Sequence, residues 1–393
     1  MRESFRKSVL YLTSTAIGRT SPPFSFQKAH IEALVPISST FWALKYCTAT
    51  GIPKEQCFAA NYLINNFGFS PESALSSSNY VRFDSSQKPD SAVAFFRNYG
   101  FSDAQLNHIV RKVPKLLLSN PAKTLLPKLQ YLLSKGASTS QLVGIVAKNP
   151  GFLLRSLENC IIPNYNLLRE FLQSDQNTIA TIRRNPHLLS KNHLEGDITF
   201  LLDTGVRKPS IRMLLRQWPR LINCDIDTFR NKIDEIRELG IDPRRATFVP
   251  ALYAKELPKS MWESKVELYK KWGWTDEAIH QAFMKHSFCM LISKQKIEEG
   301  LDFFVNHLGW DPLVLARYPI FLSFSLKKRI IPRASVLQLL LSKDLIKSTG
   351  KPSAYCITEK NFLHKYVTRF KDEAPQLLKL YEEKMNLSEI DTR

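Results

Sequence analysis

Very little in this chain is equipped for covalent chemistry. It has no phosphate-binding GxxxxGK[ST] loop, no GxGxxG, no HExxH and no GxSxG. Nucleotide hydrolysis, dinucleotide binding, zinc proteolysis and nucleophile-elbow hydrolysis therefore lack their usual frames, and no enzyme is expected. Paired cysteines are missing too. Cys47, Cys57, Cys160, Cys224, Cys289 and Cys356 are scattered, never at the short spacing of a zinc site or redox pair. A chain this long buries a core without disulfides, so they read as reduced thiols. His187 with His193 and His280 with His286 stand six apart, which puts them on different faces of a helix, so no metal and no cofactor are expected. No window approaches the roughly 18 uninterrupted apolar residues of a membrane span. Acids are scarce: 36 Asp and Glu stand against 55 Lys and Arg, for a net charge of +19. Such a surplus favours polyanionic partners, nucleic acid or an anionic membrane surface. Only 371–393 reverses it, with six acids (Asp372, Glu373, Glu382, Glu383, Glu389, Asp391) against four bases.

The first 25 residues are also poor in acid, with Glu3 alone among Arg2, Arg6, Lys7, Arg19 and many Ser and Thr. Phe5, Val9 and Leu12 fall along one side of a helix flanked by Arg2 and Arg6, the pattern of an amphipathic organellar presequence. The run Val9-Leu10-Tyr11-Leu12 is too short for the core of a secretory signal. The expected address is the mitochondrion, with the chloroplast as alternative.

What the chain does have is a repeated phrase. Val113-Pro114-Lys115-Leu116-Leu117, Asn149-Pro150-Gly151-Phe152-Leu153, Asn185-Pro186-His187-Leu188-Leu189, Trp218-Pro219-Arg220-Leu221-Ile222 and Tyr318-Pro319-Ile320-Phe321-Leu322 are versions of it. Its first three prolines are 36 apart and Pro219 follows by 33. Weaker copies keep the beat at Val249-Pro250-Ala251-Leu252 and at Lys285-His286-Ser287-Phe288, where His286 is read as the proline's replacement. Gly100, Gly136, Gly205, Gly240, Gly273 and Gly309 run in step, each closing an apolar helical pattern. Each unit thus reads as helix, glycine cap, second helix and a proline that ends it. In the unit closing at Pro150, the helices are expected at about 124–135 and 139–148, the second N-capped by Ser138 or Thr139. Pro127, Pro163 and Pro332 sit early in helix one, where a missing N–H is expected to be harmless. No strand-like alternation competes. The fold class is all-α, a solenoid of repeats of about 35 residues. The chain divides into a transit peptide at 1–25, a helical lead-in and linker at 26–86, the array at 87–370 and an acidic tail at 371–393.

The proline phrase resembles the mitochondrial transcription termination factor (mTERF) family, over about Pro89 to Val367. The run from Tyr62 to Leu75 is similar to the lead-in of plant organellar members. The resemblance implies a right-handed superhelical solenoid with two helices plus a short 3₁₀ turn per repeat, and a basic groove. It also implies an organellar protein that binds double-stranded DNA, or RNA in some plant members, in transcription, its termination or intron splicing. The departures are the weak copies near Pro250 and His286 and the missing glycine after Phe171-Leu172.

Independently of that resemblance, cations recur just before the proline position: Lys112, Lys148, Arg183, Arg184, Arg216, Lys285 and Arg317. Equal register in a solenoid means a shared face, so they form a ladder for backbone phosphates. The competing reading is that they cap helix dipoles. Lys327, Lys328 and Arg329 with Arg333, and Arg207-Lys208 with Arg212, are further phosphate candidates. Arg244-Arg245 after Asp242-Pro243 is read as a helix start, where cations are misplaced. Trp218, Trp262, Trp272, Trp274 and Trp310 are read as packing residues. The expected function is regulation of transcription or its termination by a monomer on double-stranded DNA of an organelle genome. The alternatives are an RNA-binding factor for intron splicing or ribosomal RNA maturation and, from another class, a protein-binding helical scaffold.

Overall fold

In the computed structural model, residues 54–348 and 352–390 are described, and among them there is no strand. The chain divides between Phe229 and Arg230 into two compact units. Both repeat one local plan, which is clearest at 121–154. A helical rod (Pro121–Leu125 running into Leu126–Ser134) ends where Gly136 turns left-handed at φ 88°, a conformation that costs glycine no Cβ clash. Ser138 then opens the second helix, Thr139–Lys148, with a capping box: its side chain accepts from the Gln141 N–H while the Gln141 side chain returns to the Ser138 N–H. Asn149, forced out of the helical region by the following proline, ends it, and Pro150–Leu154 forms a 3₁₀ turn. That turn buries Phe152 and Leu153 completely, about 1.5–3 kcal/mol each of transfer energy.

In the first unit the plan recurs in the pairs Gln87–Asn98 with Asp103–Lys112, 157–172 with Asp175–Arg184, and Leu194–Asp203 with Lys208–Gln217. The expected lead-in has the same build, Lys54–Phe67, Gly68 at φ 60°, then Pro71–Ser78. All six expected glycine caps are left-handed, with φ between 68° and 99°. After Leu172, where no glycine stands, Gln173 takes the same conformation at φ 66°. The proline turns are 3₁₀ at Pro114–Leu118 and Pro219–Ile222, and a single α turn at His187–Ser190.

In the second unit, Lys259–Lys271 pairs with Asp276–Lys285, and 294–307 with Pro312–Arg317. Three expectations change here. Ser287, not His286, holds the proline's place: His286 has φ −153° and ψ 80°, close to Asn149 at −138° and 77°, and the turn begins at Ser287. Pro250 lies inside the helix Phe248–Lys255, and residues 242–247, where helix two was expected, form turns. Arg244 is therefore not at a helix start; it is ion-paired with Asp242 at 3.1 Å. A copy of the phrase that the sequence reading passed over follows Pro319 by 33: Pro352–Cys356 is a short helix that buries Ala354 and Tyr355. Of the expected acidic tail, Leu377–Ile390 is helical, with Leu377 and Tyr381 buried.

The helix-one prolines also behave differently from expectation. Pro127, Pro163 and Pro332 lie several residues inside their rods, where an N–H would have had a partner. Each rod opens into a π turn just ahead of the proline, with Leu126 N–H bonded to Pro121 O, Ile162 to Leu157 O and Ile331 to Leu326 O. The wider turn accommodates a ring that cannot donate.

Candidate nucleic-acid interface

The helix-two ends of the first unit are joined by their own cations. Lys112 Nζ donates to Lys148 O at 3.3 Å, Lys148 Nζ to Arg183 O at 2.8 Å, and Arg184 Nη1 to Arg216 O at 2.8 Å. Each bond leaves one repeat and ends within one residue of the same register in the next, so these residues share an edge with rungs roughly 8–10 Å apart. All of them are exposed, as is Arg183. The arrangement serves helix-end capping and leaves charge for a ligand, because one bond uses one of three lysine or five arginine donors. Four C-terminal dipoles bring about −0.5 charge each to this edge, so five cations keep it positive. Arg183 and Arg216 have no side-chain partner among the described residues.

In the second unit Lys285 and Arg317 occupy the same register, one repeat apart, exposed and without a partner among the described residues. The Lys327–Arg333 cluster does not stay together. Lys327 and Lys328 are exposed in the first turn of the rod that Ser325 caps. Arg329 turns away, donating to Tyr355 O, Cys356 O and Ile357 O at 2.8–3.1 Å with its guanidinium 4.0 Å from the Phe324 ring centroid. Arg333 is 2% exposed; its Nη1 donates to Ala354 O, Tyr355 O and Ile357 O at 2.7–3.1 Å, and the group lies over Phe362. Burial lowers its pKa. The reading of Arg333 as a phosphate grip is corrected: a guanidinium closed in by three carbonyls and a ring has no route to a phosphate. Arg329 is corrected likewise, because its donors are committed to the same helix end.

Other candidates are also occupied. Lys208 pairs with Glu170 at 3.2 Å and Arg212 Nε donates to Phe171 O at 2.7 Å. Trp274 stacks on Tyr269 at 4.4 Å, Trp262 meets Phe283 edge-on, and Trp310 packs among Phe304, Phe321 and Tyr355, as expected of packing residues.

Arg333 is one of a set of buried donors, repeated in both units, that sequence reasoning missed. Lys128 donates to Leu153 O, Asn164 to Leu189 O and Lys265 to Met290 O, each 25 residues ahead in the chain. Burial lowers the pKa of Lys128 and Lys265. A signal was present: Lys128, Asn164 and Arg333 each follow a helix-one proline, Pro127, Pro163 and Pro332. Among the described residues no His, Cys, Asp and Glu group is placed to hold a metal ion, and no helix is long and apolar enough to cross a membrane.

Helix pairs closed by a proline turn, stacked in register and tied end to end by cations, define an all-α helical-repeat protein. The mTERF family model matches residues 93–195 and 186–363, most of the chain, and the protein belongs to the mTERF family. That is a family of organellar nucleic-acid-binding helical-repeat proteins. No curated protein matches the chain.

Proposed function

We propose that this protein binds double-stranded DNA of an organelle genome as a monomer, through the exposed cations at the helix-two ends of its repeats, and thereby regulates transcription or its termination. The observation that carries the reading is the run of bonds from Lys112 through Lys148 to Arg183, and from Arg184 to Arg216, which sets exposed cations one repeat apart on one edge. Arg183, Arg216, Lys285 and Arg317 carry the phosphate contacts, with Lys327 and Lys328 as an additional pair. Lys112, Lys148 and Arg184 divide their donors between phosphate and the neighbouring helix end. Such contacts position a duplex without reading its sequence.

The test is the salt dependence of binding. Changing Arg183, Arg216, Lys285 and Arg317 together to Gln should flatten the plot of log affinity against log salt on duplex DNA by about 0.9 per lost contact, roughly 3.6 in all. Thermal unfolding should fall only by what the helix dipoles lose, about 0.3–1 kcal/mol per helix end, because these side chains have no hydrogen-bond partner to lose among the described residues. An unchanged slope overturns the interface. Preference for single-stranded RNA over duplex DNA at equal salt transfers the same edge to the splicing or ribosomal RNA reading, and preference for an acidic peptide supports the scaffold.

A further inference from the structure

Two adjacent cations can meet one phosphate backbone only if the repeats that carry them keep a fixed spacing, and at three junctions a side-chain bond fixes it. Asn149 Nδ2 donates to Ser190 Oγ at 3.0 Å, Asn185 and Asn223 exchange amide bonds at 3.1 and 3.3 Å, and His286 Nε2 meets Ser323 Oγ at 2.7 Å. Asn149, Asn185 and His286 directly follow Lys148, Arg184 and Lys285, and each partner closes the turn that follows the next cation, Arg183, Arg216 or Arg317. Not every junction is built this way. Val113 and Leu154 stand in the two places at the junction from Lys112 to Lys148, where no side-chain hydrogen bond can form. Two and three residues before Pro250 and Pro352 stand Phe248, Thr247, Gly350 and Thr349, so Trp218 and Tyr318 have no following cation to space.

The pair at Asn185 is the most closely held. Asn185 is 4% exposed and sits where the helix Asp175–Arg184 ends, at φ −138° and ψ 82°. Its amide both gives and accepts a bond, so distance and orientation across the junction are fixed together. A buried polar pair adds little stability over an apolar pair of similar shape, but a misfit leaves its groups unsatisfied, which selects one register. On either side stand Arg183 and Arg216, exposed and without a side-chain partner among the described residues. We infer that Asn185 with Asn223 is a positioning pair, which acts through Arg183 and Arg216 by setting the spacing at which they meet successive phosphates, and that Asn149 with Ser190 and His286 with Ser323 do the same at their junctions. The inference rests on the nucleic-acid reading above and adds to it residues that touch no ligand.

The experiment is a double-mutant cycle read by fluorescence anisotropy on one DNA duplex. Asn185→Val with Asn223→Leu imports the pair that the chain itself carries at Val113 and Leu154. It removes no charge, so it should keep the salt slope while weakening binding by roughly three- to tenfold at a given salt concentration, the cost of ordering loosely spaced cations. In an Arg216→Gln background, which keeps the carbonyl that Arg184 uses, the same swap should change affinity by less than about twofold, because no spacing remains to be set. A merely structural pair would lower the melting temperature and give the same loss in both backgrounds, and that result, or no loss in either, overturns the inference. If Arg216→Gln alone changes neither affinity nor salt slope, the interface itself fails at that rung and the inference falls with it. Should the swap unfold the junction, Asn149→Val with Ser190→Leu, cycled against Arg183→Gln, asks the same question one repeat earlier, and equal losses there overturn the inference as well.

Discussion

Lys328 and Arg333 stand five residues apart on one rod and carry the same charge, yet their surroundings give them opposite uses. Lys328 ends in solvent, whereas Arg333 is enclosed by the carbonyls of 354–357. Arg333→Ala should leave Ala354 O without its side-chain donor, halve the donors at Tyr355 O and Ile357 O and open a cavity, lowering stability by about 3 kcal/mol, read in denaturant unfolding, with the salt slope of DNA binding unchanged. Lys328→Gln should do the reverse, leaving stability within about 0.5 kcal/mol. A destabilised Lys328 variant beside an unaffected Arg333 variant would refute the assignment. The distinction was not legible in the run Lys327-Lys328-Arg329. A charge can be read from its own letter, but what encloses it is set by residues more than 20 positions away, and only the offset from Pro332 carries a hint of that.

At the scale of the element, the legible features were those with local steric causes. Gly136, Ser138 and Pro150 mark a helix end, a helix start and a second helix end through backbone geometry that needs no tertiary contact, and the helix Thr139–Lys148 falls where they place it. The failures came where tertiary packing decided. Pro250 keeps the periodic beat but lies within a helix, and the segment 242–247 gives up helix two although the beat provides room for it. Ser287 shows that the turn does not require proline: it is fully buried, and its hydroxyl donates to Phe283 O at 2.9 Å. What the turn does require is its buried pair, Phe152 and Leu153 in the repeat at Pro150. Leu153→Asp puts an unpaired carboxylate in that core and should cost several kcal/mol in thermal or denaturant unfolding. Because repeats depend mainly on their neighbours, hydrogen exchange should show protection lost first around 121–190. Uniform loss across the chain would contradict that locality.

At the scale of the whole molecule, the basic, hydroxylated segment at 1–25 lies outside the described residues, and its role as a presequence remains a proposal from composition. A fusion of residues 1–40 to a fluorescent protein should enter mitochondria. Chloroplast entry would select the alternative address, and cytosolic retention would remove the presequence. The buried donors add a constraint on how such a chain acquires its structure. Lys128, Asn164 and Lys265 each reach a carbonyl 25 residues further along, and Lys296 one that is 27 further. A polypeptide that emerges amino-terminus first, from a ribosome or through an import channel, therefore exposes each donor before its acceptor exists. Each of these repeats stays open by one polar group until its successor has been delivered, so its completion runs in one direction in time, one repeat behind the emerging end.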